Sequence, residues 1–141
     1  MDPLQIVISD VIEPSVSQVI SAGLSAFNDQ VTGINDRQAL AVTVQDPASG
    51  QVLGGITGRN FLGLLFLELF YLPDSLRGSG LGSRLLKAYE DEGRRRGCTS
   101  AVLYTLSFQA PGFYEKNGWQ RFGEIPCIPE GSSRVFMSKA L

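Results

Sequence analysis

The hexapeptide Arg77-Gly78-Ser79-Gly80-Leu81-Gly82 constrains this chain more than any other stretch. An apolar run over residues 61–72 precedes it, and a helix-like stretch over residues 81–96 follows. Strand, glycine-rich turn and helix in that order make a phosphate-binding arrangement. Glycines let the backbone curl until successive N–H groups point into one concavity. The first helical turn adds N–H donors without intrahelical partners and the positive end of the helix dipole. Such a site holds a pyrophosphate without a lysine. Two other users of glycine loops fit poorly. The P-loop ends in Gly-Lys-Ser/Thr, whereas Gly82 is followed by Ser83 and Arg84. The dinucleotide fingerprint asks for an acid about 20 residues on, at the end of the next strand. No acid follows the next apolar run, residues 101–106.

A second segment, Gln109-Ala110-Pro111-Gly112-Phe113-Tyr114-Glu115-Lys116-Asn117-Gly118-Trp119, reads as a short helix. Pro111 suits a first turn, Lys116 a last turn, and Gly118 a left-handed stop. Together the two segments resemble the signatures of the GNAT acetyltransferases. Arg77, Gly80 and Gly82 match each fixed position of that family's acyl-CoA loop, Gln/Arg-x-x-Gly-x-Gly/Ala. Ala110, Phe113, Tyr114, Glu115, Lys116, Gly118 and Trp119 match its pattern Ala-x-x-(aromatic or apolar)-Tyr-Glu-Lys-x-Gly-(aromatic). The resemblance covers residues 40–141 and is weakest before them. It implies an α+β fold: a mixed, mostly antiparallel central sheet with helices on both faces, in the order βαβββαβαββ.

The residues support that order. Residues 4–9 read as a first strand, with Ile6 and Ile8 on one face. Pro14 opens a helix in which Val16, Val19, Ile20, Leu24 and Phe27 recur at three- and four-residue spacing. Residues 28–37 are polar and read as a loop or short helix. Residues 39–45 alternate as a strand, residues 46–50 make a turn built on Pro47, and residues 51–58 return as the hairpin partner. Residues 61–72 read as the central strand. The helix after the glycine loop buries Leu81, Leu85 and Tyr89 and ends near Gly97. Residues 99–106, 119–124 and 134–138 supply the remaining strands.

Composition bounds the rest. A chain of 141 residues with 43% hydrophobic content supports one domain over residues 1–141 with a real core. A net charge of −2 gives no nucleic-acid footprint. Arg94, Arg95 and Arg96 are the one basic run; beside Asp91 and Glu92 they read as a solvated helix end. Met1-Asp2-Pro3 lacks the basic start of a leader, and no 18-residue apolar stretch offers a membrane span. Cys98 and Cys127 lack metal-ligand spacing, and the chain contains no histidine. A cytoplasmic, reduced, metal-free protein is the expectation.

The chemistry of acetyl transfer from a thioester to an amine sets four tasks. The acyl donor is held, its carbonyl polarised, the amine deprotonated and the leaving thiolate protonated. Holding acetyl-CoA falls to the N–H groups of Gly78, Ser79, Gly80, Leu81, Gly82 and Ser83, with Arg77 fixing the motif. The resemblance implies that the backbone of Phe70 and Leu72 pairs with the pantetheine arm like an added strand. It also implies Tyr114 as general acid, since that residue stands at the family's tyrosine position; the bland alternative is a core aromatic. Phe113 and Trp119 are left to packing. Glu68 is the single charged residue in the run 61–72, so it is either the base or a paired structural carboxylate. Strand parity would point Glu68, Phe70 and Leu72 the same way. Many family members place an asparagine after the strand 99–106; Ser107 stands there instead, implying a weaker contact to the cofactor.

The acceptor is a small-molecule amine on this reading. The resemblance places its site by residues 28–37, the central strands and residues 126–134, with Asn28, Glu68 and Tyr104 among the groups able to meet a cation. A second reading keeps the acyl-CoA pocket without catalysis, as a sensor or interaction module. A third is acetylation of a protein or peptide. Homodimerisation is common in similar proteins, and the apolar C-terminal strands allow it.

Overall fold

The computed structural model describes residues 3–141, so Met1 and Asp2, on which the leader reading partly rests, lie outside the described residues. The chain divides into two compact units, one ending at Asn35 and the other spanning Asp36–Leu141.

The first unit is built on one helix, α1 (Pro14–Thr32). Pro14 sits at its first position, where a missing N–H costs nothing. Gly33 ends it in the left-handed region (φ 70°), its N–H donating to the Asp29 carbonyl at 2.8 Å. The helix therefore runs through residues 28–32, and Asn28 is helical. The expected strand over residues 4–9 is not formed. Those residues take no regular secondary structure and pair with no strand, and a strand needs a partner's backbone groups to exist.

The second unit carries a six-stranded sheet in the order β1-β2-β3-β4-β6-β5. Its strands are β1 (Gln38–Gln45), β2 (Val52–Phe61), β3 (Leu64–Tyr71), β4 (Ser100–Leu106), β5 (Gln120–Pro126) and β6 (Ser133–Ala140). Every neighbouring pair is antiparallel except β3 and β4, which run parallel. This is the mixed, mostly antiparallel sheet the sequence implies. The run 61–72 is not one strand, however. Phe61 closes β2, Leu62 (φ 51°) and Gly63 (φ 80°) turn the chain, and β3 begins at Leu64. A leucine at a turn position carries no polar signal, so the hairpin is masked by its own hydrophobicity.

Helices α2 (Leu81–Arg95) and α3 (Pro111–Lys116) cover the same face of this sheet. Leu85, Leu86 and Tyr89 of α2 and Tyr114 of α3 close over Ile56, Leu65, Leu67, Leu103, Val135 and Met137. Trp119, which follows α3, donates its Nε1 hydrogen to the buried Glu90 of α2 at 3.1 Å. Lys139 of β6 reaches the same carboxylate at 2.7 Å. A buried charge requires such a partner, and here it ties α2 to the C-terminal strands.

One irregularity shapes β3. Thr57 faces Leu69 but Gly58 faces Leu67, so Glu68 is an extra residue, a β-bulge. Burial slips by one there: Leu65 and Leu67 are buried before it, Phe70 and Leu72 pack inward after it.

Candidate active site

β3 and β4 pair over three positions only, Leu64 with Ser100, Leu65 with Ala101 and Phe66 with Val102. Beyond them β3 runs on to Tyr71 and β4 to Leu106 without pairing each other, and the sheet splits. The cause is local. Where the ladder stops, Tyr89 Oη donates to the Phe66 carbonyl at 2.7 Å, and the bulge at Glu68 bends β3. Gly58, opposite, makes room for this: a Cβ there would collide with the Phe66 carbonyl and with Tyr89 Oη.

Both sequence motifs stand at the mouth of the split, because one follows β3 and the other follows β4. Pro73 ends β3, and a single 3-10 turn (Asp74–Leu76) leads into the glycine loop. Gly78 (φ 83°) and Gly80 (φ 82°) both take the left-handed conformation that curls the chain onto α2. The first intrahelical bond runs from the Arg84 N–H to the Gly80 carbonyl at 3.1 Å. Among the described residues the N–H groups of residues 78–83 donate to no protein acceptor. A row of free donors at the positive end of a 15-residue helix is the physical signature of an anion site. Arg77 serves the loop itself: its Nε donates to the Leu72 carbonyl at 2.8 Å, and it pairs with Asp74 at 2.9 Å. Leu81 packs on the core, and Ser83 borders a groove of about 390 Å³ shared with Arg84, Lys87, Asn117 and Lys139. These cations escape a linear reading because they come from two elements far apart in the sequence, α2 and β6.

Tyr114 is buried across the mouth from the loop. Its ring meets those of Phe113 at 5.3 Å, Trp119 at 6.0 Å and Phe70 at 6.4 Å. Burial pushes its phenol up to about 12. Its ring is buried, and its hydroxyl makes no hydrogen bond to any described residue. A Cβ built on Gly82 would lie 3.4 Å from the Phe113 ring and 3.8 Å from Leu72 Cδ1, so the loop, β3 and α3 converge.

The structure separates the other candidates. Glu68 does not share a face with Phe70 and Leu72, because the bulge breaks the parity of the strand. Its carboxylate accepts from Arg59 Nε at 2.9 Å, and that guanidinium lies 4.0 Å over the Phe66 ring. Phe66 alternates with the buried Leu65 and Leu67, so Glu68 stands on the face away from the helices. Tyr104 is exposed on that same face, with Arg134 5.0 Å over its ring. Ser107 is committed to the scaffold: its N–H donates to the Ser133 carbonyl at 2.8 Å and its Oγ accepts from the Ser133 N–H at 2.9 Å. Asn28 belongs to the first unit, where its carbonyl accepts from Thr32 Oγ1 at 2.8 Å.

Burial pushes the Cys98 thiol up, which makes it a poor nucleophile. No group of three or more His, Cys, Asp or Glu among the described residues could hold a metal ion. No helix among them is long and apolar enough to cross a membrane.

The model of the acetyltransferase (GNAT) family matches residues 17–119. Acetyltransferase Atu2258 of Agrobacterium fabrum is 30% identical over 136 residues, covering 96% of this chain and 98% of that protein. Blasticidin-S acetyltransferase of Streptomyces morookaense is 36% identical over 93 residues, 65% of this chain and 68% of the relative. A crystal structure of an acetyltransferase from Bacillus cereus superposes with a TM-score of 0.80 at 26% identity, covering 95% of this chain and 97% of that one.

Proposed function

The chain belongs to the GNAT family of acyl-CoA-dependent N-acetyltransferases, and from that premise we propose that it acetylates the primary amine of a small molecule by direct transfer from acetyl-CoA. The observation that carries this reading is the run of free N–H donors over residues 78–83, set at the mouth of the split beside the uncommitted hydroxyl of Tyr114. Acetyl-CoA supplies an activated acetyl thioester. The loop donors hold its pyrophosphate. The backbone of Phe70 and Leu72, on the stretch of β3 that β4 leaves unpaired, holds its extended arm; the Leu72 carbonyl is shared with Arg77. Ser107, by its position after β4, borders the same arm.

Tyr114 donates its proton to the departing sulfur. A phenol held above its ordinary range stays protonated at neutral pH and is therefore loaded for this task. Glu68 takes the proton of the amine from the opposite face of the sheet, where Tyr104 also stands. The two proton transfers belong on opposite sides of the reacting carbon, one at the entering nitrogen and one at the leaving sulfur. Blasticidin-S acetyltransferase is named for a small molecule, and its similarity to this chain favours a small acceptor over a protein.

The test is thiol release from acetyl-CoA by the purified protein against polyamines, amino acids, aminoglycosides, nucleoside antibiotics and short peptides. Amine-dependent release is expected, with Tyr114→Phe lowering turnover by roughly 10- to 1000-fold, the usual span of a general acid. Wild-type turnover in Tyr114→Phe would remove that residue from the chemistry. Tight acetyl-CoA binding with no release from any amine would favour the binding-module reading.

A further inference from the structure

Beyond Leu67 the strand β3 has two ways to face the core, and its side chains do not choose between them. The bulge at Glu68 turns Phe70 and Leu72 toward the helices and Leu69 and Tyr71 away from them. A straight strand would continue the alternation of Leu65 and Leu67 and turn Leu69 and Tyr71 inward instead. The two sets are alike in size and, apart from the Tyr71 hydroxyl, in apolar character. Glu68 points away from the helices in both arrangements, so its pair with Arg59 is indifferent as well. A one-residue slip is opposed by a contrast in hydrophobicity between the two faces, and this stretch has none.

What selects the bulged arrangement comes from α2. Tyr89 is fully buried, and its Oη donates to the Phe66 carbonyl at 2.7 Å, two residues ahead of Glu68. In a straight ladder a strand carbonyl lies in the plane of the sheet and serves a neighbouring strand. It tilts toward a covering helix where the strand bends, as at a bulge. Straightening β3 would therefore leave the Tyr89 hydroxyl buried without its acceptor. Gly58 is the other half of the device. A Cβ on it would collide with both the Phe66 carbonyl and Tyr89 Oη, so these groups close on one another only around a glycine. Tyr89 stands about two turns along the helix whose first turn follows the glycine loop, so one element governs both the loop and the strand.

We propose that Tyr89 is a positioning residue for the acyl donor: its hydroxyl, seated on the Phe66 carbonyl against Gly58, locks β3 in the register that presents Phe70 and Leu72 to the split. The consequence for acetyl-CoA rests on the acetyltransferase reading; the lock itself does not. Without the hydroxyl, β3 divides between two registers, and the cofactor binds only the bulged fraction. Deleting Glu68 removes the extra residue while keeping Gly58 opposite Leu67 and Thr57 opposite Leu69. A chain shortened in this way needs no lock.

The experiment compares the wild type, Tyr89→Phe, the Glu68 deletion and the two changes together, each in the full chain. Cross-strand backbone contacts are read by NMR without ligand. The wild type should place Ile56 opposite Phe70. Tyr89→Phe should add a second set with Ile56 opposite Leu69, and weaken the contact between the Phe70 and Phe113 rings, 5.8 Å apart in the wild type. A single bulged set in Tyr89→Phe overturns the proposal. Acetyl-CoA affinity, measured by calorimetry, should fall about tenfold in Tyr89→Phe, the worth of one buried hydrogen bond read as a change in register. Once Glu68 is deleted, the same substitution should leave affinity nearly untouched. An equal loss with and without Glu68 makes the hydroxyl a general support of the fold and overturns the lock. If Tyr89→Phe does not fold, the added deletion should restore folding; failure of both chains overturns the proposal too. A wild type that binds no acetyl-CoA would sink the acetyltransferase reading, and the NMR contacts would still decide the lock.

Discussion

On the proposed mechanism, Tyr114 carries the acid chemistry of this site in one side chain. Its ring is buried, its hydroxyl makes no hydrogen bond to any described residue, and burial raises its pKa from 10.0 to about 12. The folded state thus holds the phenolic proton more tightly than the unfolded chain. Its contribution to stability is fully present below pH 10 and is lost as pH rises from 10 to about 12. Denaturation followed across that window should show falling stability in the wild type and a smaller fall in Tyr114→Phe. Tyr89, also raised by burial, supplies the remainder. The loss of turnover due to Tyr114 ionisation should likewise fall near pH 12 and not near 10. Glu68 is the harder case, because the Arg59 pair satisfies it without any role in catalysis. If it is the base, Glu68→Gln lowers turnover at neutral pH well beyond its effect on acetyl-CoA affinity, as kinetics set against calorimetry would show. Equal loss of both, or no loss, makes it the structural partner of Arg59. The sequence singled out Tyr114 as a candidate because its signature is contiguous. It misjudged the direction of Glu68 because a bulge depends on how β3 pairs with β2, a relation no local pattern contains.

At the scale of the element, the glycine loop is a device for withholding hydrogen bonds. A helix that began with a serine or aspartate cap would satisfy one of its own first N–H groups. This one begins at Gly80 with no side-chain cap, and its donors stay free. Gly80→Val imposes a left-handed conformation on a β-branched residue, a strain of roughly 1–2 kcal/mol, and turns a side chain toward the cradle. Acetyl-CoA affinity measured by calorimetry should fall about tenfold or more, while the fold survives. Unchanged affinity would mean that the donors do not hold the pyrophosphate. This element was legible because sequence adjacency is spatial adjacency in a loop and the turn that follows it. The hairpin inside residues 61–72 was not, because Leu62 fills its turn. Nor was the missing strand over residues 4–9, whose alternation is real but which pairs with no strand of the sheet.

Across the whole of residues 36–141, one buried carboxylate ties the two motifs together. Glu90 of the loop-bearing helix accepts from Trp119 beside α3 and from Lys139 of β6, and Lys139 also donates to the Asn117 carbonyl at 2.7 Å. Lys139→Met should cost about 3 kcal/mol in chemical denaturation, because it strands a buried charge. A cost under 1 kcal/mol would show that Arg94, 3.7 Å away, suffices as partner. The split between β3 and β4 has a wider meaning for such a molecule. Three paired positions form the spine of a book whose two leaves, β1–β3 and β4–β6, part toward the glycine loop. The chain leaves its own sheet unfinished there, and on the proposed function the extended arm of acetyl-CoA would lie where the next rungs would be. Saturation and thermal resistance are then coupled, since whatever binds the folded state alone raises its melting temperature with ligand concentration.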